Sequence, residues 1–400
     1  MPCDSIILYG FVGPTHLFSE SVRQWLQDEH KDRWEGVTED MFVKYRVFGS
    51  RISRAYLTPG NRPGRIVSMT HESTHLRLGI LGCGRMVRHH VKLIKEMSNA
   101  DIVALCDVSL DIAGAFKEEH LPGAGDSVVC YDDPGVMYEE AAITGVLITT
   151  PHTLHFKQAM QALDAGCHVF VEKPMVTSSR DGHDLAGKVQ ETGKVLTVGY
   201  NTPCRATFGR LREMVRNKEL GPLELVSGYL IQNWMRGTTG TWRQNPALSG
   251  GGQAYDSGAH MFASLVWSVE SRPAQVVSYV DNHGAPVDIN SVTSIRFKSG
   301  VLANITIGGN CAVGDSHMTF IFENGRVEID GWVGSTIKII GADSIEEPDL
   351  SATDVTPIQN FVEAVQGKAE PITTVQTGIY LSELMDAIYS SESSKSIITV

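Results

Sequence analysis

Positive charge is in short supply, with 34 Lys and Arg against 46 Asp and Glu in 400 residues and a formal net charge of −12. Binding a nucleic-acid backbone takes clustered cations that displace counterions, so a nucleic-acid partner is not expected. Long apolar runs are missing too. None approaches the roughly 20 residues that a membrane-spanning helix needs, and the early stretch 6–12 follows Asp4 with no Lys or Arg before it, which makes a poor secretion signal. Cysteine is sparse. Its seven copies, Cys3, Cys83, Cys106, Cys130, Cys167, Cys204 and Cys311, are odd in number and never spaced as C-x2-C, so they read as reduced, buried thiols. A cytoplasmic protein without a metal, drawing substrate and cofactor from the aqueous phase, is the expectation.

What is present divides into three textures. A chain of this length exceeds what one core usually organises. Residues 1–75 stand apart as an extension of unassigned role. A strand at 6–12 and a helix carrying Phe18, Val22, Trp25 and Leu26 are expected there, followed by an irregular, arginine-bearing stretch with Arg46, Arg51, Arg54, Arg62 and Arg65. Over 76–200, short apolar runs at 76–81, 102–106, 145–149, 169–171 and 195–198 alternate with helical stretches, which implies a parallel sheet with crossover helices. From 201 to 400 the texture shifts to Val/Ile/Thr-rich runs at 223–232, 275–280, 292–297, 303–308, 318–322 and 337–340, with helices near 207–217, 358–365 and 378–390. Few helices separate these runs, so the second domain should be built on a large, mainly antiparallel open sheet.

Gly82-Cys83-Gly84-Arg85-Met86 follows the first strand of the alternating region and opens a helix. Gly82 permits a tight turn, and Gly84 lets the backbone approach a pyrophosphate seated on the helix N-terminus. Val87 stands where the fingerprint has its third glycine, and Asp107 ends the next strand, where it can bind the adenosine ribose hydroxyls. The fold class that follows is α/β plus α+β, a Rossmann dinucleotide-binding domain and then the sheet domain. Asp107 would repel a 2′-phosphate, which favours NAD over NADP.

Several further motifs follow in order. They are Thr150-Pro151-His152-Thr153-Leu154-His155, Ala165-Gly166-Cys167-His168-Val169-Phe170-Val171-Glu172-Lys173-Pro174, Gly199-Tyr200-Asn201, and Gly250-Gly251-Gly252-Gln253-Ala254-Tyr255-Asp256-Ser257-Gly258-Ala259-His260. Together with the glycine turn, they make the stretch from about 76 to 400 resemble the glucose-fructose oxidoreductase, inositol dehydrogenase and MocA family (Gfo/Idh/MocA). The resemblance implies that Glu172, Lys173 and Pro174 turn the chain under the nicotinamide, often with a cis prolyl bond, and that Asp256 and His260 arrive from the other domain. It also sets Thr150, Pro151, His152 and His155 against a cofactor ribose, and implies a homodimer or homotetramer.

Residue chemistry supplies roles. Hydride transfer from an alcohol needs a group that takes the hydroxyl proton, with a pKa near neutrality. His260 fits directly and Lys173 fits only if its pKa is depressed, so His260 is expected as base, Asp256 as its orienter and Lys173 as donor to the reacting oxygen. Family members divide between this assignment and Lys as the base, so the roles remain exchangeable. Asp256 and His260, four apart, would share a helix face if Gly250–Gly252 lead into a helix. Asn201 is placed toward the nicotinamide, and Tyr200, Trp242 and Arg243 in the substrate pocket, as an aromatic wall and a charged donor suited to a sugar. After Gly199-Tyr200-Asn201, the run Thr202-Pro203-Cys204 departs from many relatives, so this side of the pocket is expected to be specialised. No spacing argument elevates Asn233, Trp234, Arg236 or His317.

The expected activity is hydride transfer between NAD(P) and a secondary alcohol of a sugar, sugar derivative or cyclitol. Two alternatives share these motifs, a redox-neutral glycosidase or lyase that reduces its bound NAD transiently, and a dinucleotide-binding protein without chemistry.

Overall fold

The computed structural model describes residues 47–48, 51–52, 75–330 and 334–400, which fall into two units, 1–70 and 71–400. In the first unit the described residues form a short antiparallel hairpin, Val47–Phe48 with Arg51–Ile52. The strand expected at 6–12 and the helix after it lie outside the described residues.

The second unit opens with six strands, β1 (Leu76–Leu81), β2 (Ala100–Cys106), β3 (Val129–Tyr131), β4 (Gly145–Ile148), β5 (His168–Val171) and β6 (Leu196–Val198). All pair in parallel, in the order β3-β2-β1-β4-β5-β6. This is the doubly wound order, whose direction reverses between β1 and β4 and leaves a crevice at their carboxyl ends. Helices α1 (Val87–Lys95), α2 (Leu110–His120), α3 (Pro134–Glu140), α4 (His155–Asp164) and α5 (Ser179–Thr192) link the strands. Local chemistry starts them. Ser109, Asp133 and Ser178 each accept backbone N–H groups of the first turn that follows.

After α6 (Ala206–Asn217) and β7 (Leu223–Ile231), the chain forms α7 (Trp234–Thr238), α8 (Pro246–Ser249) and α9 (Gly258–Val269). It then lays down β8 (Pro273–Asp281), β9 (Asn290–Phe297), β10 (Leu302–Gly308), β11 (Asp315–Phe322), β12 (Gly325–Ile329), β13 (Ile337–Gly341) and β14 (Ile345–Glu346). Helices α10 (Pro357–Val365) and α11 (Val375–Ser394) follow, and β15 (Ile398–Thr399) ends the chain. The strands make one nine-stranded sheet, β14-β13-β12-β11-β7-β10-β9-β8-β15, antiparallel throughout except for β7 with β10. One face is buried and the other open. Along β9, for example, Ser291, Thr293, Ile295 and Phe297 point inward while Val292, Ser294 and Arg296 point out.

Helix α9 is buried along its whole length, with no polar face to give to water. Helix α10 returns to the first sheet, where Ile358, Phe361 and Val362 share a core with Leu76, Leu78 and Phe170.

Candidate active site

The crevice begins at Gly82. Its φ of +98° is left-handed, and a Cβ there would lie 3.0 Å from the Thr149 carbonyl carbon and the Thr150 nitrogen, so only glycine fits. Gly84 differs, because a Cβ on it would meet nothing within 4 Å. The turn therefore faces open space, and α1 begins behind it with no side-chain cap on its first amides. That cradle, uncapped and at the positive end of a helix, fits a pyrophosphate. Arg85 and Met86 are exposed on the same turn, while Val87, in the third-glycine position, is completely buried in the core. Asp107 directly follows β2. Its Oδ2 accepts the Cys83 N–H at 2.7 Å and its Oδ1 the Val108 N–H at 2.8 Å, which fixes the carboxylate beside the glycine turn.

At the end of β5, Glu172 is buried and its Oε1 accepts from His90 Nε2 at 2.7 Å. Burial opposes its ionisation, but the His90 hydrogen bond and Lys173 outweigh burial and bring its pKa down to about 2. Gly199 leaves room for this pair, since a Cβ there would sit 3.1 Å from the carboxyl carbon. The Lys173–Pro174 peptide is cis. Lys173 then reaches across to the turn ahead of α9, where its Nζ donates to Asp256 Oδ1 at 2.6 Å and to the Asp256 carbonyl at 3.0 Å.

Asp256 is the hub. Besides Lys173, its Oδ2 accepts from Trp234 Nε1 at 2.8 Å and from Arg243 Nε at 2.9 Å, and His152 Nε2 stands 3.9 Å from Oδ1. Burial works against the charge, but Lys173, His152 and Arg243 hold the carboxyl well below the usual carboxylate range. One expectation is corrected here. Asp256 lies in the turns before α9, not on the helix, so it and His260 do not share a helix face. His260 occupies the first turn of α9, where burial, then Lys173, lowers its pKa to about 3.

The comparisons with known proteins agree with this fold. A family model described as an oxidoreductase family with an NAD-binding Rossmann fold matches residues 76–200, and a GFO/IDH/MocA C-terminal domain matches 208–328. The chain belongs to the Gfo/Idh/MocA family. It is 28% identical over 196 residues to the D-glucoside 3-dehydrogenase of Escherichia coli (strain K12), covering 49% of this chain and 54% of that one, so it spans about half of that relative. It is 22% identical over 325 residues to the 1,5-anhydro-D-fructose reductase of Ensifer adhaerens, covering 76% of this chain and 92% of that protein. The WlbA dehydrogenase from Bordetella pertussis, solved in complex with NADH and UDP-GlcNAcA, shares the fold with a TM-score of 0.72 at 21% identity, over 82% of this chain and 98% of that one.

Within this Gfo/Idh/MocA fold the remaining expected residues divide. Thr150 and Pro151 sit at the crevice, where β4 ends. Asn201 keeps its buried Oδ1 without a hydrogen-bond partner among the described residues, which fits a group aimed at a ligand. Trp242 is half-buried, packs edge-on to His152 with centroids 4.8 Å apart, and carries the Arg243 guanidinium 4.6 Å above its ring. His152 is buried, with its Nδ1 3.0 Å from the Ser249 carbonyl, so it links the crevice to α8.

Two expectations change. His155 is completely buried, its ring nitrogens 2.8 Å from the Pro174 carbonyl and 2.9 Å from that of Thr150. It braces two strand-end loops from behind rather than meeting a ribose. Tyr200 is likewise wholly buried in the core and forms no pocket wall. Of the unelevated residues, Trp234 belongs to the Asp256 cluster. Asn233 and Arg236 are exposed, and His317 bonds Thr319 on the antiparallel sheet. The sequence reading also missed His90, which meets Glu172 across 82 residues with no local signal.

Proposed function

We propose that the protein transfers a hydride between NAD(H) and a secondary carbon–oxygen centre of a sugar, sugar derivative or cyclitol. The observation that carries this reading is the bridge from Lys173 to Asp256, which brings an ammonium from the nucleotide-binding sheet against a buried carboxylate preceding α9. Relatives named as a D-glucoside dehydrogenase and an anhydro-D-fructose reductase support the substrate class and both directions.

The nicotinamide, when bound, supplies the hydride acceptor or donor. The chain's own residues handle the proton. An ammonium has three N–H groups, and Lys173 uses two on Asp256, which leaves the third for the reacting oxygen. In the reducing direction Lys173 can give that proton to the developing alkoxide as it stands. In the oxidising direction it must act as the free amine and take the hydroxyl proton as the hydride leaves. His260, with its pKa lowered to about 3, stays neutral near pH 7 and serves better as a hydrogen-bond partner to the reacting oxygen than as its base. Asp256 stays ionised and fixes Lys173, helped by Trp234 and Arg243. This exchanges the roles expected for Lys173 and His260.

The open face of the antiparallel sheet exposes Leu225, Val277, Tyr279, Val292 and Leu302, which supports pairing with a second copy. The six described cysteines are all unpaired thiols, which supports a cytoplasmic setting.

The test is absorbance at 340 nm after mixing the protein with NAD, or separately NADP, and a panel of aldoses, sugar acids, glycosides and inositols. The expected outcome is NADH accumulation with at least one panel member, abolished in Lys173→Ala. A protein that binds NAD yet reduces it with no member, and oxidises NADH with none of the matching ketones, would contradict the reading.

A further inference from the structure

Asp288 lies between β8 and β9, is only 4% exposed, and takes no part in the chemistry above. Its Oδ1 accepts the Gly252 N–H at 2.6 Å, its Oδ2 the Ala254 N–H at 2.8 Å, and its carbonyl the Gln253 N–H at 2.9 Å. Three successive amides of the turn are thereby bound to one residue. The backbones touch, because a Cβ on Gly252 would lie 2.0 Å from the Asp288 carbonyl oxygen.

That hold is passed forward. The Gly252 carbonyl accepts the Asp256 N–H at 2.9 Å, which aims Asp256, and the Gln253 carbonyl accepts the Gly258 N–H at 2.8 Å, where α9 begins and soon presents His260. It is also passed sideways. Tyr389 of α11 donates to Asp288 Oδ1 at 2.7 Å and lies parallel to Tyr255, with ring centroids 6.1 Å apart. Burial, then Asp288, pushes the Tyr389 phenol well above its ordinary range, so it remains a donor. The Tyr255 hydroxyl in turn donates to the Val176 carbonyl at 3.4 Å, in the segment that follows Lys173 and Pro174.

We infer that Asp288 is a positioning residue that, through the Gly252–Ala254 amides and the Tyr389–Tyr255 pair, sets the separation between Lys173 and the turn presenting Asp256. The inference rests on the roles proposed above for Lys173 and Asp256. A buried carboxylate that accepts three short hydrogen bonds, two on Oδ1 and one on Oδ2, is a rigid joint, and small misplacements of reacting groups are costly. Asparagine at 288 would turn an NH2 toward one of these donors and loosen the turn, whereas phenylalanine at 389 would delete a single bond.

The test reads Lys173 directly, without a substrate. Wild type, Asp288→Asn and Tyr389→Phe are labelled with acetic anhydride at pH 8, with and without NADH, and Lys173 acetylation is measured by peptide mass spectrometry against Lys95 of the same digest. The expected result is several-fold faster labelling of Lys173 in Asp288→Asn and a smaller rise in Tyr389→Phe, with NADH affinity unchanged in both. Where a substrate is in hand, kcat should fall by about 10–100-fold in Asp288→Asn while KM stays near the wild-type value. Unchanged Lys173 labelling in both variants would overturn the inference, and if Asp288→Asn fails to fold, unchanged labelling in Tyr389→Phe alone does so. Faster labelling in a protein that turns over no sugar would leave the positioning role standing and remove the dehydrogenase reading instead.

Discussion

The parallel sheet is covered on both faces, so that all four residues of β4 are buried, whereas the antiparallel sheet leaves one face open and alternates along β9. The two halves also serve ligands differently. The parallel half offers a dinucleotide backbone geometry, a left-handed turn at Gly82 and open space at Gly84. The other half contributes side chains, where Asp256 in the turns before α9 gathers Trp234 of α7, Arg243 and, from across the crevice, Lys173. Substitutions in the first half should therefore move cofactor affinity, and those in the second should move turnover.

Asp256→Asn is expected to have the largest effect, because it removes the charge that fixes Lys173. Turnover should fall by about 100–1,000-fold with NADH affinity within about threefold of wild type, measured by steady-state kinetics and by fluorescence of bound NADH. Equal losses of turnover and affinity would break the division between the halves. Gly82→Ala should show the opposite signature. A side chain at φ +98° pressed against Thr149 and Thr150 should weaken NADH binding about tenfold or more and cost about 1–3 kcal/mol of stability in urea unfolding.

Acid should act on the join between the halves. The pKa of His152 and of His260 is lowered from 6.5 to about 3, mainly by burial, so each takes up its proton more readily in the unfolded chain. Stability should then decline as the pH falls from about 6.5 toward 3, each histidine contributing up to about 1.4 kcal/mol per pH unit. The depressed carboxyl of Asp256 adds a further loss below its ordinary pKa of 3.8. Thermal melts across this range check the sign, and His260→Asn should flatten the slope. The smallest effect is expected at the open face, where Val292→Lys should change the stability of the isolated chain by less than about 0.5 kcal/mol. A larger loss that depends on protein concentration would instead mark that face as covered by a second copy.

The same contrast explains what could be read from the sequence. β1, β2 and β4 were legible because strands buried on both faces are nearly continuous apolar runs, and β9 and β10 because β-branched residues cluster along them. β3 was not, since Val129-Cys130-Tyr131 is only three residues long and only Tyr131 is buried. β12 was not legible either, since only Val327 and Ile329 of its Gly325-Arg326-Val327-Glu328-Ile329 run are apolar. In the candidate site, Gly82, Asp107, Lys173 and Asp256 stand in motifs that the sequence displays. Their wiring was not legible, because it runs between distant residues, from His90 to Glu172 and from Gly252 to Asp288. The spacing of Asp256 and His260 suggested a helix face, but the hold of Asp288 on Gly252 and Ala254 keeps that stretch as turns until Gly258.

The most direct test of the central claim is a single turnover of Lys173→Met, saturated with NADH and mixed with the ketone of an accepted panel substrate, followed at 340 nm beside an NADH titration of the same sample. Lys173 as the proton donor to the reacting oxygen predicts intact NADH binding and hydride transfer slowed by about 1,000-fold or more. Transfer at a rate near wild type would contradict it and return the proton to His260.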